Sequence, residues 1–299
     1  MSLRFGTLSV VVGGKACNAN CPYCISRQTG SNGLVDAAGD CEFNGSNLKA
    51  ACMLAEKCGV TTALITGKGE PTLYPMGISD VLSDLRDYFP IIELQTNAIL
   101  LGQNGQHSDD YAERLKDWRW RGLKTICMSV VHYHSYKNEE IYCRPGVKYP
   151  SLTATIEYLH FMGYSIRLSV VGCKGYIDSV AELRNMIDFC RASKVEQLTW
   201  RPVKLVDASA DPVTAAATKR YLIPDEHLER IRDWVGESDE LTPLMELGFG
   251  ATVYDVDGQN FCISNCLTES TKPEEQRQLI YFPDGHLRYS WKWQGAILF

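Results

Sequence analysis

The feature that most restricts the fold of this chain is the alternation of short apolar runs with amphipathic segments. The apolar runs are rich in β-branched and aliphatic residues, which is typical of β-strands. The predicted strands are Gly6–Val12, Thr61–Gly67, Ile91–Asn97, Lys124–Val131, Ser165–Gly172 and Val195–Val203. Apolar residues recur at helical spacing in the predicted helices Asn47–Gly59, Gly77–Tyr88, Asp109–Arg121, Ser151–Met162, Asp178–Ala192 and Asp225–Val235. Because parallel neighbours need a helical crossover, this order predicts an α/β fold around a parallel sheet.

The pattern changes after about residue 237. Two pairs of short strand-like runs there flank Asp257-Gly258 and Asp284-Gly285, and Asp-Gly is a dipeptide typical of hairpin turns. We therefore divide the chain into a barrel over residues 1–210 and a C-terminal extension over residues 211–299. The extension is expected to contain a helix and β-hairpins.

Three cysteines on one short loop carry the strongest chemical signal. Cys17, Cys21 and Cys24 are spaced C-x3-C-x2-C directly after the first predicted strand. Thiolates are soft ligands, and three of them leave one iron of a [4Fe–4S] cluster open, whereas plain electron carriers use four. A structural zinc site is the alternative, and Cys41 is available as its fourth ligand.

The chain contains twelve cysteines, and their state depends on the compartment. Its first residues lack the apolar stretch of a secretory signal, and no run approaches a membrane span in length. We therefore expect a cytoplasmic protein with reduced thiols and no membrane partner.

The cysteine motif resembles that of radical SAM enzymes, in which an aromatic residue precedes the last cysteine, as Tyr23 does here. The resemblance covers the barrel, about two thirds of the chain, and implies a partial (βα)6 barrel with parallel strands. It implies that Cys17, Cys21 and Cys24 bind a [4Fe–4S] cluster, whose open iron chelates the amine and carboxylate of S-adenosylmethionine. An oxygen-sensitive enzyme with an electron donor such as flavodoxin or ferredoxin is then expected.

Residues at other predicted strand ends agree with this resemblance. The second strand closes on a Gly-Lys-Gly-Glu-Pro turn, where radical SAM enzymes carry a similar Gly-Gly-Glu-Pro turn that holds the methionyl amine. A plain β-to-α turn is the alternative. The third strand ends near the expected ribose position, although Ala98 replaces the usual glycine. The cofactor-binding residues implied by these positions are Gly67, Gly69, Glu70, Pro71, Thr96, Asn97 and Ser129, with Tyr23 beside the cysteines.

Further polar residues gather near the predicted ends of strands four to six, where parallel barrels place their chemistry. Arg167 and Arg201 are assigned to cofactor binding, since an inward arginine suits a carboxylate or phosphate, although a structural role for Arg201 is equally compatible. Catalytic candidates are His132, His134, Cys173 and Lys174. For the two histidines, surface or satisfied core positions are the alternative.

The sequence leaves open whether the chain binds a second iron–sulfur cluster and which loops cover the active site. The extension offers only Cys262 and Cys266, so a further cluster needs Cys143 or Cys173 as well. Three long loops, Ile25–Gly45, Ala98–Ser108 and Lys204–Pro224, leave the predicted active face and are candidate lids.

The function implied by the resemblance is reductive cleavage of S-adenosylmethionine to a 5′-deoxyadenosyl radical, which then modifies a small molecule or peptide. Small-molecule and peptide-modifying members, including the GTP cyclase of molybdenum-cofactor synthesis, have a similar organisation. The segment Glu70–Pro75 is similar to tRNA-modifying wybutosine synthases. However, 36 acidic against 30 basic residues argue against a nucleic-acid partner. A non-enzymatic iron–sulfur electron carrier is the alternative from a different class.

Overall fold

The computed structural model describes residues 4–30, 34, 44–102, 108–247, 250–264 and 275–299. Its strands are β1 (Arg4–Val11), β2 (Thr62–Thr66), β3 (Ile91–Thr96), β4 (Thr125–Val130), β5 (Ser165–Gly172), β6 (Gln197–Pro202), β7 (Thr242–Leu247), β8 (Ala251–Val256), β9 (Gln259–Ile263), β10 (Glu275–Tyr281) and β11 (Leu287–Arg288). Its α-helices are α1 (Ile25–Gln28), α2 (Leu48–Lys57), α3 (Pro75–Leu85), α4 (Ser108–Trp120), α5 (Ser135–Tyr142), α6 (Leu152–Phe161), α7 (Val180–Ala192), α8 (Pro212–Thr218) and α9 (Asp225–Glu237).

The described strands form a single sheet in the order β11-β10-β1-β2-β3-β4-β5-β6-β9-β8-β7. Strands β1 to β6 lie side by side in chain order, and each pair is parallel. Each of the six strands was predicted, and the α/β class with parallel strands is confirmed. The sheet is open, since β11 and β7 are its two edges in the described part of the chain.

The C-terminal extension contributes strands to both sides of this sheet. Strand β10 pairs with β1 in parallel, where Leu279 lies opposite Leu8. Strand β9 pairs with β6 in parallel, where Phe261 lies opposite Leu198. The two predicted hairpins are therefore present, but each also adds a parallel strand to the barrel sheet.

The helices cover one face of the parallel strands because their apolar stripes point to it. In α2 the predicted stripe is buried completely, at Leu48, Ala51, Cys52 and Ala55. Burying apolar area removes it from water and stabilises the layer by roughly 25 cal/mol per Å². No described helix is long and apolar enough to cross a membrane.

The opposite face of the sheet is polar over β3 to β6. Side chains alternate across a strand, so residues two apart share this face. Its members are Glu93, Gln95, Cys127, Ser129, Arg167, Ser169, Thr199 and Arg201. Bulky apolar residues usually fill the interior of a parallel barrel. A polar inner face therefore leaves room for a polar ligand.

Candidate functional site

One large cavity opens at the C-terminal ends of the parallel strands. Its volume is about 1000 Å³, which is at the upper end of typical small-molecule sites. Most of the predicted site residues line it: Cys17, Cys21, Tyr23, Cys24, Gly67, Gly69, Glu70, Pro71, Thr96, Asn97, Ser129 and Arg201. These residues come from the ends of five strands, so the fold assembles a site from segments far apart in sequence.

The three cysteines of the motif lie in the loop between β1 and α1. All three are free thiols and half-buried, and the Cys24 amide donates to the Cys21 carbonyl at 3.3 Å. Burial raises the pKa of Cys17 to about 11, and neighbouring Glu70 and Cys24 add to the increase through like charge. Burial also raises the pKa of Cys21, again reinforced by Cys24 and Cys17. The thiols are thus close enough to oppose each other's ionisation, and a bound cation would reverse this effect.

The donor set fits a cluster better than a single metal ion. In the described residues, no three His, Cys, Asp or Glu side chains converge as the ligands of one ion do. Three soft thiolates on one loop suit a [4Fe–4S] cluster, because three cysteines leave one of its irons open. A zinc site needs four ligands around one point, and Cys41 lies outside the described residues.

The turn after β2 contacts the cysteine loop through backbone atoms. The Glu70 amide donates to the Ala16 carbonyl at 2.9 Å. A Cβ atom at Gly69 would lie only 2.0 Å from that carbonyl oxygen, so position 69 requires glycine. The turn therefore fixes the backbone that leads into Cys17.

The Glu70 carboxylate is buried and accepts four hydrogen bonds from the protein. One oxygen accepts from the Thr72 amide at 3.0 Å and from the Thr72 and Thr96 hydroxyls at 2.7 and 2.6 Å. The other accepts from the Asn97 amide at 2.8 Å. Burial raises the pKa of Glu70, and these hydrogen bonds oppose the increase. Both oxygens thus have donors from the protein, and the contact of Glu70 with a methionyl ammonium stays a prediction.

Asn97 and Ala98 shape the end of β3. The Asn97 side-chain amide donates to Asn18 Oδ1 at 2.7 Å and lies 3.9 Å from Cys17 Sγ. Ala98, which stands where glycine is usual, has a left-handed φ of 60°. This conformation favours glycine, and the backbone keeps it here without one.

Ser129 and Arg201 lie on the β4 to β6 side of the cavity. The Ser129 hydroxyl is 3.3 Å from the Tyr142 hydroxyl. The Arg201 guanidinium donates to the Ser169 hydroxyl at 2.5 Å. These groups form a polar wall opposite the cysteine loop.

The structure does not bring the two candidate catalytic histidines into the cavity. His132 is buried behind β4, and its Nδ1 accepts from the His134 amide at 3.1 Å. The two rings stack with centroids 5.1 Å apart, and His132 Nε2 lies 3.7 Å from a Glu182 oxygen. Neither histidine lines the cavity, and the catalytic role of both stays a prediction.

The remaining candidates do not line the cavity either. Cys173 is fully buried in an apolar cluster with Tyr23, and Lys174 is exposed. Arg167 forms two hydrogen bonds to the Glu93 carboxylate, one of them at 2.8 Å. This charge-assisted pair already engages the guanidinium, and the cofactor contact of Arg167 stays a prediction.

The described residues offer few ligands for a second cluster. Cys262 is buried on β9, and its potential partner Cys266 lies outside the described residues. Cys173 belongs to the core, and Cys143 is a half-buried residue directly after α5.

Sequence reasoning missed several cations and polar groups that line the cavity: Lys15, Arg27, Lys68, Gln95, Arg144 and Lys204. Most of them carry no motif that would single them out. Lys68 is the exception, because it interrupts the glycine turn.

Comparisons with known proteins agree with this geometry. No family model matches the chain, and no curated protein matches its sequence. Among solved structures, SuiB of Streptococcus suis bound to S-adenosylmethionine has a TM-score of 0.58 at 18% identity, covering 96% of this chain and 60% of SuiB. The structure of anSMEcpe with bound AdoMet has a TM-score of 0.54 at 11% identity, covering 96% and 75%.

A radical SAM methyltransferase from Sphaerobacter thermophilus has a TM-score of 0.50 at 19% identity, covering 77% of this chain and 62% of that protein. At these identities the similarity shows a shared fold. The fold that the resemblance implies, a partial barrel with parallel strands, is thus confirmed. This chain spans about 60% of the length of SuiB.

Proposed function

We propose that this chain is a radical SAM enzyme that holds a [4Fe–4S] cluster through Cys17, Cys21 and Cys24 and cleaves S-adenosylmethionine reductively. The observation that supports this is the position of three free thiols in one large cavity at the strand ends. Structures with the same fold have S-adenosylmethionine bound. When bound, the reduced cluster would supply one electron to the sulfonium, which gives methionine and a radical that abstracts a substrate hydrogen.

The residues of this chain bind and orient the reactants in that process. The cysteine loop supplies the cluster ligands, and the turn at Gly69 and Glu70 fixes its entry. The ends of β3 and β4, with Asn97 and Ser129, are assigned to the cofactor. Proximity is what makes the electron transfer productive, so these positioning contacts matter for the rate.

The proposed substrate is a small molecule or a peptide. SuiB, which shares the fold, has also been solved bound to the precursor peptide SuiA. The polar inner wall of the cavity favours a polar substrate group, and the net charge of −6 argues against tRNA. A flavodoxin or ferredoxin in the cytoplasm is the proposed electron donor.

The decisive test is cleavage of S-adenosylmethionine by anaerobically reconstituted, dithionite-reduced protein. We expect 5′-deoxyadenosine and methionine in chromatography, with about four irons per chain. The variant with Cys17, Cys21 and Cys24 all replaced by Ala should lose both the iron and the cleavage. Absence of 5′-deoxyadenosine from protein with a verified cluster, with and without added cell extract, would favour an electron carrier.

A further inference from the structure

Lys68 is an unusual residue for the wall of this cavity. The residue is only 5% exposed, and its Nζ donates to the Thr29 hydroxyl at 2.5 Å. The same Nζ lies 5.7 Å from the ring centroid of Trp291, within the range of a cation–π contact. The lysine therefore joins the β2 turn to the end of the cysteine segment and to the C-terminal tail.

The charge of Lys68 has no carboxylate partner in the part of the chain that the structure describes. None of the ion pairs there includes it, and the two contacts of its Nζ are a neutral hydroxyl and an aromatic ring. A buried cation without an anion is costly. Burial accordingly lowers the pKa of Lys68 to about 8, while the negative charge of an ionised Cys24 would raise it and Lys15 lowers it further.

Among the described residues Lys68 has no anionic partner, and the proposed function supplies one. Three thiolates around a [4Fe–4S] core make the site negative, and reduction adds one more negative charge. A nearby buried cation stabilises both states and the reduced state more strongly, because attraction grows with charge and little water screens it. Charge near a cluster is one of the determinants of its reduction potential.

We propose that the Lys68 ammonium is the counter-charge of the cluster held by Cys17, Cys21 and Cys24, and that it raises the reduction potential of that cluster. This inference rests on the proposed function. In this proposal, the lysine that is inserted into the glycine turn makes the cluster easier to reduce.

The experiment compares Lys68→Met with the unchanged protein after anaerobic reconstitution. The midpoint potential is measured by a redox titration followed by electron paramagnetic resonance. We expect at least a tenfold decrease in the equilibrium constant for reduction, which is a shift of about 59 mV to a more negative potential for one electron. Lys68→Arg should stay close to the unchanged protein because it keeps the charge.

A matched control removes the same charge from the surface of the protein. Lys49 lies on the surface of α2 with its side chain 69% exposed, so Lys49→Met changes the net charge equally. The midpoint potential of the Lys49→Met variant should equal that of the unchanged protein. An unchanged potential in fully loaded Lys68→Met would overturn the inference, whereas absence of a cluster from every protein would contradict the proposed function instead.

A second variant decides the case in which Lys68→Met loads iron poorly. Thr29→Val removes the hydrogen-bond acceptor of Lys68 and keeps its charge. If the ammonium is the counter-charge, Thr29→Val and Lys68→Arg should both take up iron normally. If Lys68 is only a structural link between segments, Thr29→Val should lose iron as Lys68→Met does, and that result would overturn the inference.

Discussion

Among single residues, Glu70 shows why a motif position and its function need separate arguments. The turn resembles one that binds the methionyl amine, and this favours a direct contact with the ligand. In the structure the carboxylate accepts from Thr72 in the turn after β2 and from Thr96 and Asn97 at the end of β3. We therefore propose a positioning role for Glu70, because the protein itself supplies donors to both of its oxygens.

Replacing Glu70 by Gln should lower the free energy of unfolding by about 1–3 kcal/mol. The new amide group must face either the Thr72 or the Asn97 backbone N–H, and two donors then oppose each other. Urea denaturation checks this, with the exposed Glu56→Gln on α2 as the control. A tenfold loss of S-adenosylmethionine affinity with unchanged stability would support the direct contact instead.

His132 provides a residue-scale prediction about pH. Burial lowers the pKa of His132 from 6.5 to about 4, and the positive charges of His134 and Lys137 contribute. Glu140 opposes the decrease, and a Glu182 oxygen lies 3.7 Å from Nε2. The folded protein thus keeps this imidazole neutral over a range in which the unfolded chain protonates it.

The unfolded state therefore binds more protons between pH 6.5 and about 4, so stability falls as the pH falls through that window. Over this range the free energy of unfolding should fall on the order of 1–3 kcal/mol further in the unchanged protein than in His132→Gln. Urea denaturation at each pH measures it. His160→Gln, at a less buried position beside Glu196, is the control. Parallel pH profiles for the protein and His132→Gln would contradict the assignment.

At the scale of elements, the apolar pattern predicted the parallel strands well. The residue that caps a helix was harder to predict. The predicted helix corresponding to α7 begins at Asp178. In the structure Ser179 is the cap and accepts from the Glu182 amide, while Asp178 accepts from Gly175. Both residues are good caps, and the choice depends on a turn that only the folded chain defines.

Gly69 gives the corresponding prediction for the contact between two loops. In Gly69→Ala the new methyl group meets the Ala16 carbonyl, so the cysteine loop must move away. We expect at least half of the iron to be lost on reconstitution, together with a lower free energy of unfolding by roughly 1–3 kcal/mol. Gly236→Ala in α9, where nothing lies within 4 Å, should keep full iron content and gain stability.

At the scale of the whole molecule, the sequence could not reveal how the extension joins the barrel. Asp257-Gly258 and Asp284-Gly285 identify hairpins because turn chemistry is local. The pairings of β10 with β1 and β9 with β6 join residues that are far apart in the chain, and no local pattern records them. The polar cavity wall was likewise missed in part, since Lys15 and Lys204 resemble surface lysines until the fold places them.

These pairings predict that barrel and extension unfold together. Phe261 on β9 is fully buried in the main core and packs near Trp234, with ring centroids 6.2 Å apart. Phe261→Ala should lower the free energy of unfolding by about 3–5 kcal/mol, whereas Leu244→Ala on the exposed edge strand β7 should change it little. Circular dichroism reports mainly the barrel helices, and tryptophan fluorescence also reports residues of the extension. If both segments share one core, Phe261→Ala shifts the two transitions equally, and a separately folding extension would instead split them.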